Sequence, residues 1–182
     1  HNCYTYVLND INSNTVKKCH EEKKKGEKCG KFFHQPGYYH QPYIEKIPKK
    51  DMRRNTSDKL NCPDLLGQVK KDNKGIIKFT KWDGSEYGPQ EQCPMGYYMG
   101  ALTIDPSNMY HFYRRDQIGK DGKYYWSHKD GGAKATRLDA SNKPITDPAK
   151  ADRKYEKYNY SEVCHYFCIH ENNISNTLST HR

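Results

Sequence analysis

The sequence holds too few aliphatic side chains to build an ordinary core. Leu, Ile, Val and Phe together make 26 of its 182 residues, under the roughly 20% below which a highly charged chain is normally disordered. Two features oppose disorder. Sixteen Tyr and two Trp carry large buriable rings, and seven Cys can cross-link a thin core. The composition implies a small, disulfide-stapled, tyrosine-rich globule. It excludes a coiled coil and a solenoid, and no apolar run reaches the ~18 residues that a membrane span requires.

Abundant cysteine also points to an oxidising compartment, so the protein reads as secreted or extracytoplasmic. The chain opens at His1-Asn2-Cys3, as a trimmed product would. Sequons at Asn55, Asn159 and Asn173 are candidate glycosylation sites. Lys and Arg number 31 against 22 Asp and Glu, a net charge of +9. Much of the excess lies in Lys17, Lys18, residues 23–25, Lys28, Lys31, Lys49, Lys50, Arg53 and Arg54. That field either covers a solvated surface or draws the protein toward an anionic glycan or cell-surface partner. No zinc finger, RNA-recognition motif or helix-turn-helix accompanies it, so nucleic acid is not favoured.

Hydrophobic spacing organises the rest. Tyr4, Val7, Leu8 and Ile11 fall at i, i+3, i+4 and i+7 behind Asn2, a good N-cap, so residues 2–11 read as a short helix. Residues 12–60 read as a lysine-rich insertion or loop region, with a second helix possible over 56–72 up to the limit set by Pro63. The remainder reads as antiparallel sheet: strands over 76–80, 96–105, 109–116, 124–129, 134–138 and 163–169, a loop over 141–153, and a flexible tail from 172 to 182. The sharpest local signal is the pair of aromatic strands joined by Gly119-Lys120-Asp121-Gly122. One helix ahead of such a meander is an α+β plan, a single domain over 1–171.

Seven cysteines leave one over if the fold is oxidised. Cys19, Cys29, Cys62, Cys93, Cys164 and Cys168 are the candidates to pair, with connectivity open. Cys3 is the candidate to stay free, because a helix N-terminus stabilises a thiolate and lowers its pKa; the alternative bridges it to Cys19 or Cys29. Cys164 and Cys168 beside His165 and His170 also have zinc-like density, but no second pair at metal spacing accompanies them.

A nucleophilic cysteine needs an imidazole to move its proton and a third group to orient that ring. With a turn at residues 119–122, Tyr113 faces His128 and His111 faces Asp130, so His111 and His128 share one face of the hairpin. Asp116 and Asp139 are reserve orienters. The plain alternative is a pair of half-buried strand histidines.

A cysteine opening a helix, followed about a hundred residues later by a histidine strand and then a polar residue on the next strand, resembles the papain-like layout, and most closely its compact NlpC- and CHAP-type branch. The strings Asn2-Cys3-Tyr4-x-Tyr6, Phe33-x-Gln35-Pro36-Gly37, Cys93-Pro94-x-Gly96, His111-x-Tyr113-Arg114-x-Asp116, Trp126-Ser127-His128-Lys129 and Leu138-Asp139-Ala140-Ser141 also resemble a set of uncharacterised secreted bacterial and viral proteins. The papain-like resemblance implies a cysteine hydrolase of peptide or amide bonds with no cofactor and no metal. Cys3 would be the nucleophile, His111 the base, His128 the orienter and Asn2 a possible oxyanion donor, acting on a peptide or peptidoglycan-like substrate. The competing expectation is a non-catalytic, disulfide-bonded secreted interaction protein that binds an anionic glycan or a protein.

Overall fold

The computed structural model describes residues 2–10, 13–27, 29, 34–37, 60–107 and 109–171. Among these residues three helices, α1 (Cys3–Val7), α2 (Ser13–Lys24) and α3 (Cys62–Asp72), precede five strands: β1 (Ile77–Lys78), β2 (Tyr97–Asp105), β3 (Met109–Ile118), β4 (Tyr124–His128) and β5 (Glu162–His170). The strands form one antiparallel sheet in the order β1-β5-β2-β3-β4. The fold is α+β and stapled by disulfides.

Helix α1 is shorter than its apolar spacing predicts. The Asn2 side chain accepts from Thr5 N, and Thr5 Oγ1 accepts from Asn2 N, each at 3.1 Å, a closed capping box. The helix then stops at Val7, with Asn9 at φ 53°, a left-handed conformation that Asn tolerates better than most residues. The lysine-rich stretch read as loop contains α2, none of whose residues is buried. Its Lys and Glu are good helix formers, and Cys19–Cys29 ties it to the following turn; with no apolar stripe, periodicity could not reveal it. Pro63 opens α3 rather than limiting it, because the first helical turn needs no N–H there and the Asn61 side chain caps it. Residues 134–138 form only isolated bridges, Thr136 to His128 and Leu138 to Pro144. The tail 172–182 lies outside the described residues.

Two cores flank the sheet. On one face Tyr4, Val7 and Leu8 of the α1 segment and Leu65 and Val69 of α3 pack with Leu102, Phe112, Phe167 and Ile169. The approach of α1 requires glycine at position 100: an added Cβ there would lie 2.7 Å from the Phe167 ring and 2.9 Å from Val7 Cγ2. The hydroxyl of fully buried Tyr4 donates to Asp72 at 2.9 Å and accepts from Asn73 Nδ2 at 2.9 Å, pinning α1 to the end of α3. On the other face Met99, Ala101, Tyr113, Trp126 and Cys168 pack with Ile145. Aromatic rings do here much of what aliphatic side chains do elsewhere.

All six candidate cysteines are paired, Cys19–Cys29, Cys62–Cys164 and Cys93–Cys168, and Cys3 is free. Cys164 and Cys168 therefore enter separate bridges, which removes both thiolates from the zinc alternative. The two long-range bridges clamp β5, the strand between β1 and β2, to α3 and to the segment before β2. Chain-entropy reasoning gives roughly 4–5 kcal/mol for closures of 102 and 75 residues, and under ~3 kcal/mol for one of 10. Replacing Cys62 and Cys164 by Ala should lower the melting temperature much more than replacing Cys19 and Cys29, as scanning calorimetry of the two double variants would show.

Candidate functional site

β3 and β4 meet with Tyr113 opposite His128, Arg114 opposite Ser127 and Arg115 opposite Trp126. A bulge between Arg115 and Ile118 takes up one residue before the turn without disturbing that register. Alternation then sends His111, Tyr113, Trp126 and His128 to one face. Both histidines are buried, at 2% and 3% exposure. His111 Nε2 lies 2.8 Å from His128 Nδ1, and His128 Nε2 lies 2.9 Å from the Leu138 carbonyl oxygen.

That carbonyl fixes the direction of the chain. A carbonyl oxygen only accepts, so His128 Nε2 carries the proton and donates to it. Neutral His128 then accepts at Nδ1 from His111 Nε2–H, which leaves the lone pair of His111 on Nδ1. Burial, reinforced by the neighbouring His128, holds the His111 imidazole well below the ordinary 6.5. Burial lowers His128 too, against the opposing pull of the Leu138 carbonyl, Asp130 and Asp139. The His111 ring stacks on Tyr160 at 5.0 Å and meets Tyr113 edge-on at 5.1 Å; Tyr155 sits 6.2 Å from His128. The irregular segment after β4 thus roofs the histidines with tyrosines.

Cys3 approaches from elsewhere. Helix α1 packs on the opposite face, where Tyr4 meets Phe112 and the Tyr6 hydroxyl bonds Ser127 Oγ at 2.8 Å. Helix α1 therefore does not cover the histidine face. The thiol instead meets β3 at Phe112, one residue beyond the last β3–β4 pair, where the Phe112 N–H points at the sulfur. It therefore lies against the peptide that joins His111 to Phe112. Among the described residues no hydrogen bond joins the thiol to the His111 ring.

The low-pKa thiolate expected for Cys3 is also corrected. Burial pushes the thiol from 9.0 up to about 12; the N–H of Phe112 pulls it down, the Asp130 charge pushes it up again, and the N–H groups of Tyr4 and Cys3 pull it down. A five-residue helix offers too little dipole to offset desolvation. At neutral pH both the thiol and the imidazole are uncharged, a closed resting arrangement.

The remaining candidates serve other ends. Asp116 accepts from Ser127 Oγ at 2.8 Å and pairs with Arg137 at 2.5 Å, away from the imidazoles. Asp139 accepts from the N–H groups of Ser141, Lys143 and Asp152, so it orders its loop and reaches His128 only as a distant charge. The group on the His111 ring is His128, which is itself held by the Leu138 carbonyl. No side-chain pattern in the sequence could mark it. The Asn2 amide is engaged in the cap and in donating to the His34 carbonyl at 2.8 Å, which leaves it poorly placed as an oxyanion donor. Of the sequons, Asn159 is exposed and its backbone N–H donates to Asp105 at 2.9 Å; Asn55 and Asn173 lie outside the described residues. No helix among the described residues is long and apolar enough to cross a membrane.

The buried histidines make stability acid-sensitive. Their folded pKa values are depressed, so their contribution is complete above the unfolded value near 6.5 and is lost as pH falls through the folded values. Asp105 and Glu91 are themselves held below 3.8 and 4.5, so carboxylates begin to act only at lower pH. Urea unfolding should show stability falling by at least about 1.4 kcal/mol between pH 7 and pH 5. A His111→Asn, His128→Asn variant should flatten that limb.

No family model and no solved structure matches the chain. A stretch of 53 residues, 29% of this chain, is 49% identical to insoluble matrix shell protein 1 of Ruditapes philippinarum. The match spans 32% of that protein's length, about a third of the curated relative.

Proposed function

We propose that the chain is a secreted papain-like cysteine hydrolase of peptide or amide bonds, with Cys3 as nucleophile, His111 as base and His128 as orienter. The observation that carries this reading is the directed line from the Leu138 carbonyl through His128 to His111, which leaves His111 Nδ1 as a proton acceptor on the residue adjoining the peptide that the thiol approaches. Two imidazoles in a protein interior are costly unless paired, and this pairing builds an acceptor rather than merely satisfying donors.

At rest the Cys3 thiol meets the backbone beside His111 and not its ring, so in the reaction the start of α1 must first shift to bring the sulfur to His111 Nδ1. The thiol then gives its proton there and the sulfur attacks the amide carbonyl carbon. The tetrahedral intermediate collapses as His111 returns the proton to the leaving nitrogen, and an acyl-thioester remains. Water, deprotonated by the same Nδ1, then releases the acid and the free thiol. Backbone N–H groups at the start of α1, rather than Asn2, are the oxyanion donors. Since the histidines are buried beneath Tyr155 and Tyr160, substrate must enter by displacing part of that tyrosine roof. The three disulfides support action outside the cytoplasm, on a peptide or peptidoglycan-like substrate.

A second reading is favoured by the partial likeness to a shell matrix protein: a non-catalytic, disulfide-bonded secreted protein that binds an anionic glycan or a protein. Amine release from peptide mixtures and from peptidoglycan separates the two. For the hydrolase, Cys3→Ala and His111→Ala should each remove turnover by a factor of ~10³ or more, and His128→Ala by roughly 10–100-fold, with melting of the variants checked alongside. Turnover absent from the wild type, or indifferent to Cys3→Ala, would leave the binding reading.

A further inference from the structure

On the face of the sheet that carries α1, beside the end of that helix, lies a cleft of about 390 Å³. Its cations are Arg114, Arg115 and Arg137, and its anions are Asp116 and Glu171. Three of these five are engaged. Arg137 pairs with Asp116 at 2.5 Å. Arg115 donates to the carbonyls of Pro89 and Glu91 at 3.2 and 2.5 Å and lies over the Tyr124 ring at 4.1 Å.

Arg114 and Glu171 stand apart: among the described residues neither has an ion-pair partner. The Arg114 guanidinium lies over the Tyr6 ring, 4.4 Å from its centroid, and reaches Asn9 Oδ1 and the Tyr6 hydroxyl only at 3.4 Å each. A guanidinium offers five N–H donors in a planar fork, so most of this fork is left for a ligand. Stacking on Tyr6 orients the plane in advance, which reduces the ordering cost of binding. Glu171 is exposed, directly after β5, and brings an acceptor to the same cleft.

We infer that this cleft binds a carboxylate flanked by hydroxyl donors, the chemistry of a uronic acid or similar acidic sugar residue, with the carboxylate on the Arg114 fork and a hydroxyl on Glu171. A bare oxyanion would use Arg114 and be repelled by Glu171; a neutral sugar would leave Arg114 unmatched. The net charge of +9 favours the approach of such ligands. The inference stands on the cleft alone and does not depend on turnover at Cys3. It draws on Tyr6 and Arg114, residues of the sequence strings quoted above for which the cysteine chemistry has no use.

The test is a titration of the full ¹⁵N-labelled chain with D-glucuronate, with D-glucose and sodium sulfate as comparisons, followed by NMR. Glucuronate should give saturable shifts at Arg114 Nε and at the amides of Asn9 and Glu171, and glucose should give none. Sulfate should bind more weakly at Arg114. Arg114→Gln and Arg114→Lys should each weaken glucuronate binding about tenfold, because the fork is lost in both. Since α1 packs against Arg114, Glu171→Gln is the independent variant: it should weaken glucuronate and strengthen sulfate. Equal binding of glucose, unsaturable shifts spread over surface lysines, or indifference to both Arg114→Lys and Glu171→Gln would overturn the inference.

Discussion

Tyr113 stands opposite His128 across the β3–β4 hairpin, and both faces of the sheet depend on that pairing. With it, His111 and His128 come within 2.8 Å on one face while Arg114, Asp116 and Ser127 gather on the other. A slip of one residue would send His128 to the helix side and leave two imidazoles buried without each other. The bulge between Arg115 and Ile118 absorbs the irregularity of the turn before it reaches the histidines. The Cys93–Cys168 and Cys62–Cys164 bridges hold β5, on which β2 and so β3 are aligned.

Burial sets the electrostatic state of the site. The Cys3 thiol is raised to about 12 and the His111 imidazole is lowered, so neither ionises at rest. The tendency of a helix N-terminus to stabilise a thiolate is real, but in a helix of five residues desolvation outweighs it. An ion pair between sulfur and imidazole would need a more polar surround, and the segment carrying Tyr155 and Tyr160 is what keeps solvent out. On the hydrolase reading proposed above, substrate reaches the histidines only by displacing that segment.

Much of the sheet was legible in the sequence. Alternating aromatics around Gly119 and Gly122 placed the hairpin and the shared face of His111 and His128, because strand periodicity and a glycine turn are local signals. Cysteine parity left one thiol over and the helix N-terminal position pointed to Cys3, while a bridge from Cys3 to Cys19 or Cys29 stayed open. Connectivity, which depends on long-range packing, was not revealed. Three things were not legible. Helix α2 has no buried face, so nothing apolar marked it. The side of the sheet on which α1 packs is decided by Gly100, Phe167 and the Tyr4 hydroxyl network with Asp72 and Asn73, contacts more than sixty residues away along the chain. The group that holds His128 is the backbone carbonyl of Leu138, and every residue has one, so no side-chain pattern marks it.

Whether Cys3 is a nucleophile driven by His111 is decided most directly by covalent trapping. The native chain would be incubated at pH 7 with a peptidyl epoxide directed at cysteine nucleophiles, then weighed intact and mapped by mass spectrometry. One adduct on Cys3, formed far faster than on the His111→Ala variant of the same folded stability, is the expected result. No adduct on the native protein, or an adduct formed equally fast without His111, would contradict the assignment of these residues to one catalytic unit.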